Sequence, residues 1–216
     1  MKLFLIIISF LCIINGCVGL QIDSYYSPSS SLGTPLPRTS SCSTYGVLPG
    51  AEWMVSEKPS TIKFKTNSFD LYVFTKCKYT NLAIGPIIPI FPFPYSSDSG
   101  DEGKDTVQVV LLFKMVKYQI NLNLNNIILL YNNDKKIDPI KITDYSGKEI
   151  DHLYKLNIGE GNDIEDANFI RFYYKIDKDS NEFTLDINQI FVDSIQFKIS
   201  EISFSLTSDT VLVGIH

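Results

Sequence analysis

Hydrophobic and polar residues alternate along much of the second half of the chain. The segment YQINLNLN places Tyr118, Ile120, Leu122 and Leu124 on one face, with Gln and Asn on the other. Strict alternation of this kind indicates a β-strand with one buried face. Four later segments repeat it, and their apolar sets are Ile170, Phe172, Tyr174 and Ile176; Phe183, Leu185 and Ile187; Ile195, Phe197 and Ile199; and Ile202, Phe204 and Leu206.

Three earlier segments predict further strands. TIKFK at 61–65 and FDLYVF at 69–74 are short alternating runs. VQVVLLFKMV at 107–116 is almost continuously apolar, which is typical of a central strand covered on both faces. Its β-branched start favours a strand over a buried helix.

Turn residues separate these segments. DKDSNE divides Ile176 from Phe183 as a predicted hairpin loop, DYSGKE supplies Gly147, and residues 158–168 are predicted to form a loop or a short helical turn. Short strands at this spacing, with few helix candidates, predict an all-β fold. We expect one domain at 42–216, an antiparallel β-sandwich that is immunoglobulin-like or related.

The amino-terminal residues have a different pattern. Lys2 precedes an apolar run at 3–14. This run is too short to cross a bilayer core, because a spanning helix needs about 20 apolar residues. A positive start, a short apolar run and small residues are typical of a secretory signal. We therefore predict a signal peptide at 1–16.

The tetrad INGC, which ends at Cys17, resembles the lipobox of bacterial lipoproteins. This resemblance implies cleavage before Cys17 and attachment of fatty acyl chains, such as palmitate, to that residue. Val18 rather than Asp follows, which by the same resemblance favours the outer membrane. In the alternative, an ordinary signal peptidase cuts after Gly19 and the protein is secreted.

Residues 17–41 are rich in Ser and Pro and predict a flexible, lipidated tether. A coil of that length reaches roughly 25–30 Å, which would lift the domain clear of lipid headgroups. The alternative is an irregular first strand around Tyr25 and Tyr26.

The cysteines predict a disulfide. Once the signal is removed and Cys17 is acylated, Cys42 and Cys77 remain as one possible pair in an oxidising compartment. The alternative is two reduced, buried thiols. We predict no metal site, because neither cysteine has a CxxC or histidine partner.

The segment GPIIPIFPFPY at 85–95 combines prolines at a spacing of three with large apolar residues. One interpretation is a rigid extended crossover that covers an open end of the core. The other is an exposed ridge that docks a partner protein or enters a membrane. The docking set for this second interpretation is Ile87, Ile88, Ile90, Phe91 and Phe93.

Charge and motifs narrow the function classes. The net charge is −5, which does not favour a nucleic-acid partner. His152 is the only internal histidine, and no catalytic or nucleotide-binding motif is present. Asp177, Asp179 and Asn181 resemble the start of an EF-hand loop, but Glu182 stands where that pattern requires Gly. We therefore predict no catalytic residue, no cofactor and no enzyme.

We consider three functions, the third of which is an envelope enzyme. The first is a non-enzymatic envelope lipoprotein, held on a membrane by its lipid, with a structural role or a protein partner in the envelope. The second is a secreted module that binds carbohydrate or calcium through exposed aromatic residues. The candidates for that role are Trp53, Tyr72, Tyr79 and Tyr173.

Overall fold

The computed structural model describes fourteen parts of the chain. They are residues 17–38, 42, 55, 57–85, 105–114, 116–131, 135–151, 153–156, 168–177, 180–187, 190–192, 195–197, 199 and 201–215. The predicted signal peptide at 1–16, the docking set within 87–93, Trp53 and His152 lie outside the described residues.

The described residues form sixteen β-strands. They are β1 Cys17–Ser29, β2 Thr34–Pro37, β3 Pro59–Lys65, β4 Asp70–Thr75, β5 Lys78–Gly85, β6 Thr106–Lys114, β7 Ile120–Asn123, β8 Ile127–Tyr131, β9 Lys135–Ile137, β10 Lys141–Thr143, β11 Leu153–Leu156, β12 Asn168–Lys175, β13 Glu182–Ile187, β14 Ile190–Val192, β15 Ile195–Phe197 and β16 Ile202–Ile215. A 3-10 helix at Leu124–Asn126 lies between β7 and β8. Within these ranges, no helix has the length and apolar character needed to span a bilayer.

The strands pair antiparallel in three sheets. The first sheet has the order β5-β1-β16-β13-β8-β9, the second has the order β10-β12-β6-β4-β3-β2, and the third has the order β11-β7-β14-β15. Their inward residues form a shared hydrophobic core. Tyr174 of β12 donates a buried hydrogen bond of 2.8 Å to the carbonyl of Ile127 at the start of β8. Burial raises the pKa of Tyr174 well above its usual range. The predicted all-β antiparallel sandwich is confirmed.

The alternating segments supply most of this core. The sets of β12 and β13, from Ile170 to Ile176 and from Phe183 to Ile187, are buried as predicted. Two residues depart from the pattern: Tyr118 is 47% exposed and Leu206 is 41% exposed. On β16 the buried set changes parity from Phe204 to Thr207, where pairing with β13 ends. The continuous apolar run is β6, and its residues 107–111 are buried on both faces of a central strand.

The predicted hairpin between Ile176 and Phe183 is wrong. β12 pairs with β10 and β6 in the second sheet, whereas β13 pairs with β16 and β8 in the first. The loop between them therefore crosses from one sheet to the other. Both strands still direct their apolar residues into the same core. The alternation therefore predicts which residues are buried, although it does not predict which strands pair.

The predicted flexible tether at 17–41 is also wrong for most of its length. β1 begins at Cys17 and pairs with β16 from Cys17↔Ile215 to Ser29↔Ser203, and it pairs with β5 on its other side. β2 pairs with β3 at the edge of the second sheet. The domain therefore includes β1 and β2 and does not begin at Cys42.

A buried ion-pair cluster explains the position of β1. Gln21, Asp23 and Tyr25 are buried, and each is at most 2% exposed. Arg38 follows β2; its Nη2 pairs with Asp23, its Nη1 lies 3.0 Å from Asp209 Oδ2, and its guanidinium carbon lies 5.0 Å from the Tyr25 ring centroid. A buried carboxylate requires such a partner, so the cluster holds β1, β16 and the end of β2 together.

The predicted disulfide joins Cys42 to Cys77, with their Cα atoms 5.4 Å apart. The backbone N–H of Cys42 donates to Asp23 Oδ2 at 3.0 Å, so the disulfide adjoins the ion-pair cluster. In the chain-entropy model, closing a loop of this length stabilises the fold by about 4 kcal/mol.

Replacement of Arg38 by Leu should lower the free energy of unfolding by about 3–5 kcal/mol, because it leaves Asp23 and Asp209 without their buried cation. Arg38→Lys keeps the charge but cannot bridge both carboxylates in the same way, so its loss should be smaller. Urea denaturation of the two variants measures both effects. If Arg38 belonged to a flexible tether, neither variant would differ from the parent chain, and that result would contradict the structure.

Candidate functional site

The outward side of the second sheet carries an unusual set of residues. Alternate residues of β3, β4, β6 and β12 enter the core, and those between them face away from it. We name these outward positions, with Lys76 after β4 and Lys141 on β10, the cationic face. Its principal members are Lys63, Lys65, Tyr72, Phe74, Lys76, Gln108, Val110, Leu112, Lys114, Lys141, Phe169, Arg171, Tyr173 and Lys175.

Positive charge is concentrated on this face although the whole chain has a net charge of −5. Its seven cations are Lys63, Lys65, Lys76, Lys114, Lys141, Arg171 and Lys175. Among the outward strand positions that the structure describes, Asp70 is the one acid. Its carboxylate lies 2.7 Å from Lys63 Nζ, and this hydrogen bond raises the pKa of Lys63. The remaining cations give the face a positive local potential.

Aromatic rings lie among these cations. Lys63 and Lys114 lie 4.9 and 5.5 Å from the centroid of Tyr72. Lys141 lies 5.8 Å from the centroid of Tyr173, and Arg171 lies 6.0 Å from that of Phe169. Each distance is within the range of a cation–π contact, which orders the cation without neutralising it.

A shallow groove of about 400 Å³ crosses the cationic face. Gln108 and Val110 of β6 form its floor and are 7% and 5% exposed. Phe74 on β4 and Phe169 and Tyr173 on β12 form its walls, while the longer side chains Lys76 and Arg171 complete the lining. Val110 lies opposite Phe74 on one side and Arg171 on the other, so the strand register sets the width of the groove.

The floor of the groove contains an unsatisfied acceptor. Gln108 Oε1 is buried and has no hydrogen-bond partner among the residues that the structure describes. A buried polar atom without a partner costs about 1–3 kcal/mol of stability. An unsatisfied buried polar group calls for an explanation, and Gln108 belongs to the lining of the groove.

A neighbouring turn holds Arg171 in position. Arg171 Nη1 donates to the carbonyls of Asp144 and Tyr145 at 2.7 and 3.2 Å. Asp144 Oδ1 in turn accepts bonds from Ser146 and Lys148, and the bond from the Ser146 hydroxyl is the main cause of its lowered pKa. Gly147 closes the turn with φ at +83°, a conformation that other residues rarely adopt.

The sequence-predicted site residues are distributed unevenly. Tyr72 and Tyr173 both lie on the cationic face, whereas Tyr79 lies on β5 in the first sheet, opposite Asp23 of β1. Cys17 opens β1 and its backbone pairs with Ile215; its acylation stays a prediction. Asp179 of the EF-hand-like loop lies outside the described residues. Among those that are described, no group of three or more His, Cys, Asp or Glu could hold a metal ion.

Sequence reasoning missed Gln108, Phe169 and Arg171. The signal was present, because FIRFYYK alternates as Phe169, Arg171 and Tyr173 between the residues of the buried set. The inward half of this alternation identifies the core, and its outward half lines the groove.

No protein-family model, curated protein or solved structure matches this chain. Its function must therefore be argued from the residues described above.

Replacement of Gly147 by Ala should lower the free energy of unfolding by about 1 kcal/mol, because a β-carbon disfavours a positive φ. No atom lies within 4 Å of the position that this β-carbon would occupy, so the effect is one of backbone conformation alone. Gly147→Asn is the matched control and should cost less, since Asn tolerates this region. Denaturant titration distinguishes them, and equal stability of the Ala variant and the parent would contradict the turn geometry.

Proposed function

We propose that this chain is a non-enzymatic, lipid-anchored module of the cell envelope whose cationic face binds an acidic macromolecule. The observation that carries the proposal is the concentration of seven cations and four aromatic rings on one side of one sheet. Opposite charge steers and holds an acidic partner, and aromatic residues supply contact area at low entropic cost.

The start of β1 supports cleavage before Cys17. Cys17, Val18 and Gly19 pair with β16, and Val18 and Gly19 also pair with β5. A cut after Gly19 would remove three residues that are paired with β16, whereas a cut before Cys17 would keep them. An acyl chain at Cys17 would then be attached to β1 itself, which would bring the domain close to the membrane surface.

The lining of the groove supports a binding role. It consists of Phe, Val, Tyr, Gln, Lys and Arg side chains, which offer apolar contact, hydrogen bonds and positive charge. A hydrolytic site would bring a nucleophile next to a base, or two carboxylates across a cleft. The described residues that line this groove include no His, Asp, Glu, Cys or Ser.

The intact mass of the mature protein tests the anchor. We expect a polypeptide that begins at Cys17, carries the mass of two or more fatty acyl chains and lacks two hydrogens because of the Cys42–Cys77 disulfide. Cys17→Ser should yield no acylated product and should release the protein from membranes. A mature chain that begins at Leu20 without lipid would contradict the anchor.

Retention on a phosphate-bearing cation-exchange matrix at pH 7 tests the face. The parent domain should be retained despite its net negative charge. A variant with Lys65, Lys114 and Lys141 changed to Gln should elute at a clearly lower salt concentration, because local charge governs contact with the matrix. The matched control changes Lys135, Lys136 and Lys155, which are exposed on the first and third sheets, to Gln. Equal elution of the two variants would contradict the proposal.

A further inference from the structure

We infer that the groove on the cationic face binds a uronic acid residue of an anionic polysaccharide. This inference rests on the proposed function and assigns its ligand class. Three features of the groove, namely its charge, its aromatic walls and its unsatisfied acceptor, each impose a requirement on the ligand.

The first requirement is a negative group of carboxylate size. Arg171 carries a planar guanidinium with five N–H donors, and its Nη1 is held by the carbonyls of Asp144 and Tyr145. A guanidinium held in this way loses little entropy when it binds a planar carboxylate. Lys76 also belongs to the lining, and its backbone N–H is bound to the Gln108 carbonyl at 2.9 Å.

The second requirement is a flat, weakly polar surface. Phe74, Phe169 and Tyr173 present half-buried rings around the floor residue Val110. The C–H faces of a pyranose ring are apolar and carry slight positive charge, so they pack on the negative faces of aromatic rings. Phosphate groups and aliphatic acids lack a face of this kind.

The third requirement is a hydrogen-bond donor close to the negative group. Gln108 Oε1 is a buried acceptor without a partner among the described residues, so only an O–H or N–H group of a ligand that reaches it can satisfy it. A carboxylate or a phosphodiester offers acceptors alone at its charged end. A uronic acid carries hydroxyl donors and a carboxylate on one ring, and it therefore meets the three requirements within a single residue.

The groove also suits a polymer. Its volume of about 400 Å³ lies near the lower end of small-molecule sites, which is large enough for a short run of sugar rings. It is open along the sheet surface, and the cations beyond it continue across the face to Lys63 and Lys114. Further acidic residues of the same chain would meet these side chains, which adds affinity through multivalency.

Titration calorimetry with the mature, disulfide-bonded chain tests this inference. The probes are polygalacturonic acid, a neutral galactan, polyglutamate and a single-stranded oligodeoxynucleotide, each at about 50 mM salt. We expect polygalacturonic acid to bind, the galactan not to bind, and the other two polyanions to bind at least about tenfold more weakly.

Two variants localise the contact. Arg171→Gln should weaken polygalacturonate binding by about tenfold, which is the loss expected for a charge-assisted hydrogen bond. Gln108→Leu should weaken it several-fold while the melting temperature stays the same or rises, because an unsatisfied buried acceptor is removed. Lys135→Gln, on β9 of the first sheet, changes the net charge as Arg171→Gln does and should alter binding less than twofold.

The outcomes separate the two proposals. If polyglutamate or the oligonucleotide binds as tightly as polygalacturonate, or if Gln108→Leu has no effect on polygalacturonate binding, the uronic acid inference fails and the proposed acidic-partner function stands. If no polyanion binds, both fail. If Gln108→Leu lowers the melting temperature markedly, Gln108 Oε1 has a structural partner and the ligand argument built on it is overturned.

Discussion

One buried guanidinium holds the first described strand against the rest of the domain. Arg38 lies between the carboxylates of Asp23 and Asp209, and all three side chains are almost completely removed from water. Charges in such a place are tolerated only when they remain paired and hydrogen-bonded, so β1, β16 and the end of β2 must stay together. The disulfide between Cys42 and Cys77 closes the same region, since the Cys42 N–H also binds Asp23. The ordered amino-terminal strand, and with it the close approach of Cys17 to the domain, depends on this cluster.

This arrangement also explains why the first strand was mistaken for a tether. The prediction treated alternation as apolar inside and polar outside, whereas β1 buries Gln21, Asp23 and Tyr25 and leaves Ile22 only partly covered. Its Ser and Pro content then matched that of a flexible segment. Burial of these polar side chains is favourable because of two partners. They are Arg38 and β16, a strand almost 200 residues away in the sequence. No local pattern contains that information, because the energy of a buried charge depends on its tertiary neighbours.

The central strands were predictable for the opposite reason. The apolar face of β12 consists of Ile170, Phe172 and Tyr174 and is buried. Its burial does not depend on which strands β12 pairs with, because one apolar face is enough to place a strand against a core. The same reasoning could not assign the pairing of β12 and β13: loop chemistry at 177–182 identifies a change of direction but not the sheet to which the chain returns. Local sequence thus determined which residues are inside, while the topology depended on packing between the sheets.

The candidate site follows from the half of the alternation that faces away from the core. Packing does not explain why FIRFYYK places an arginine between two aromatic residues on its outward side, or why β6 buries a glutamine acceptor beside a groove without a partner among the described residues. Net charge conceals the face as well, because a chain with charge −5 suggests repulsion of acidic partners. Electrostatic screening reverses that conclusion at contact distance: at 0.1 M salt the Debye length is about 10 Å, so a ligand in the groove responds mainly to Lys76, Arg171 and their neighbours. The sign of the local field, rather than that of the whole chain, therefore decides which ligands can approach this sheet.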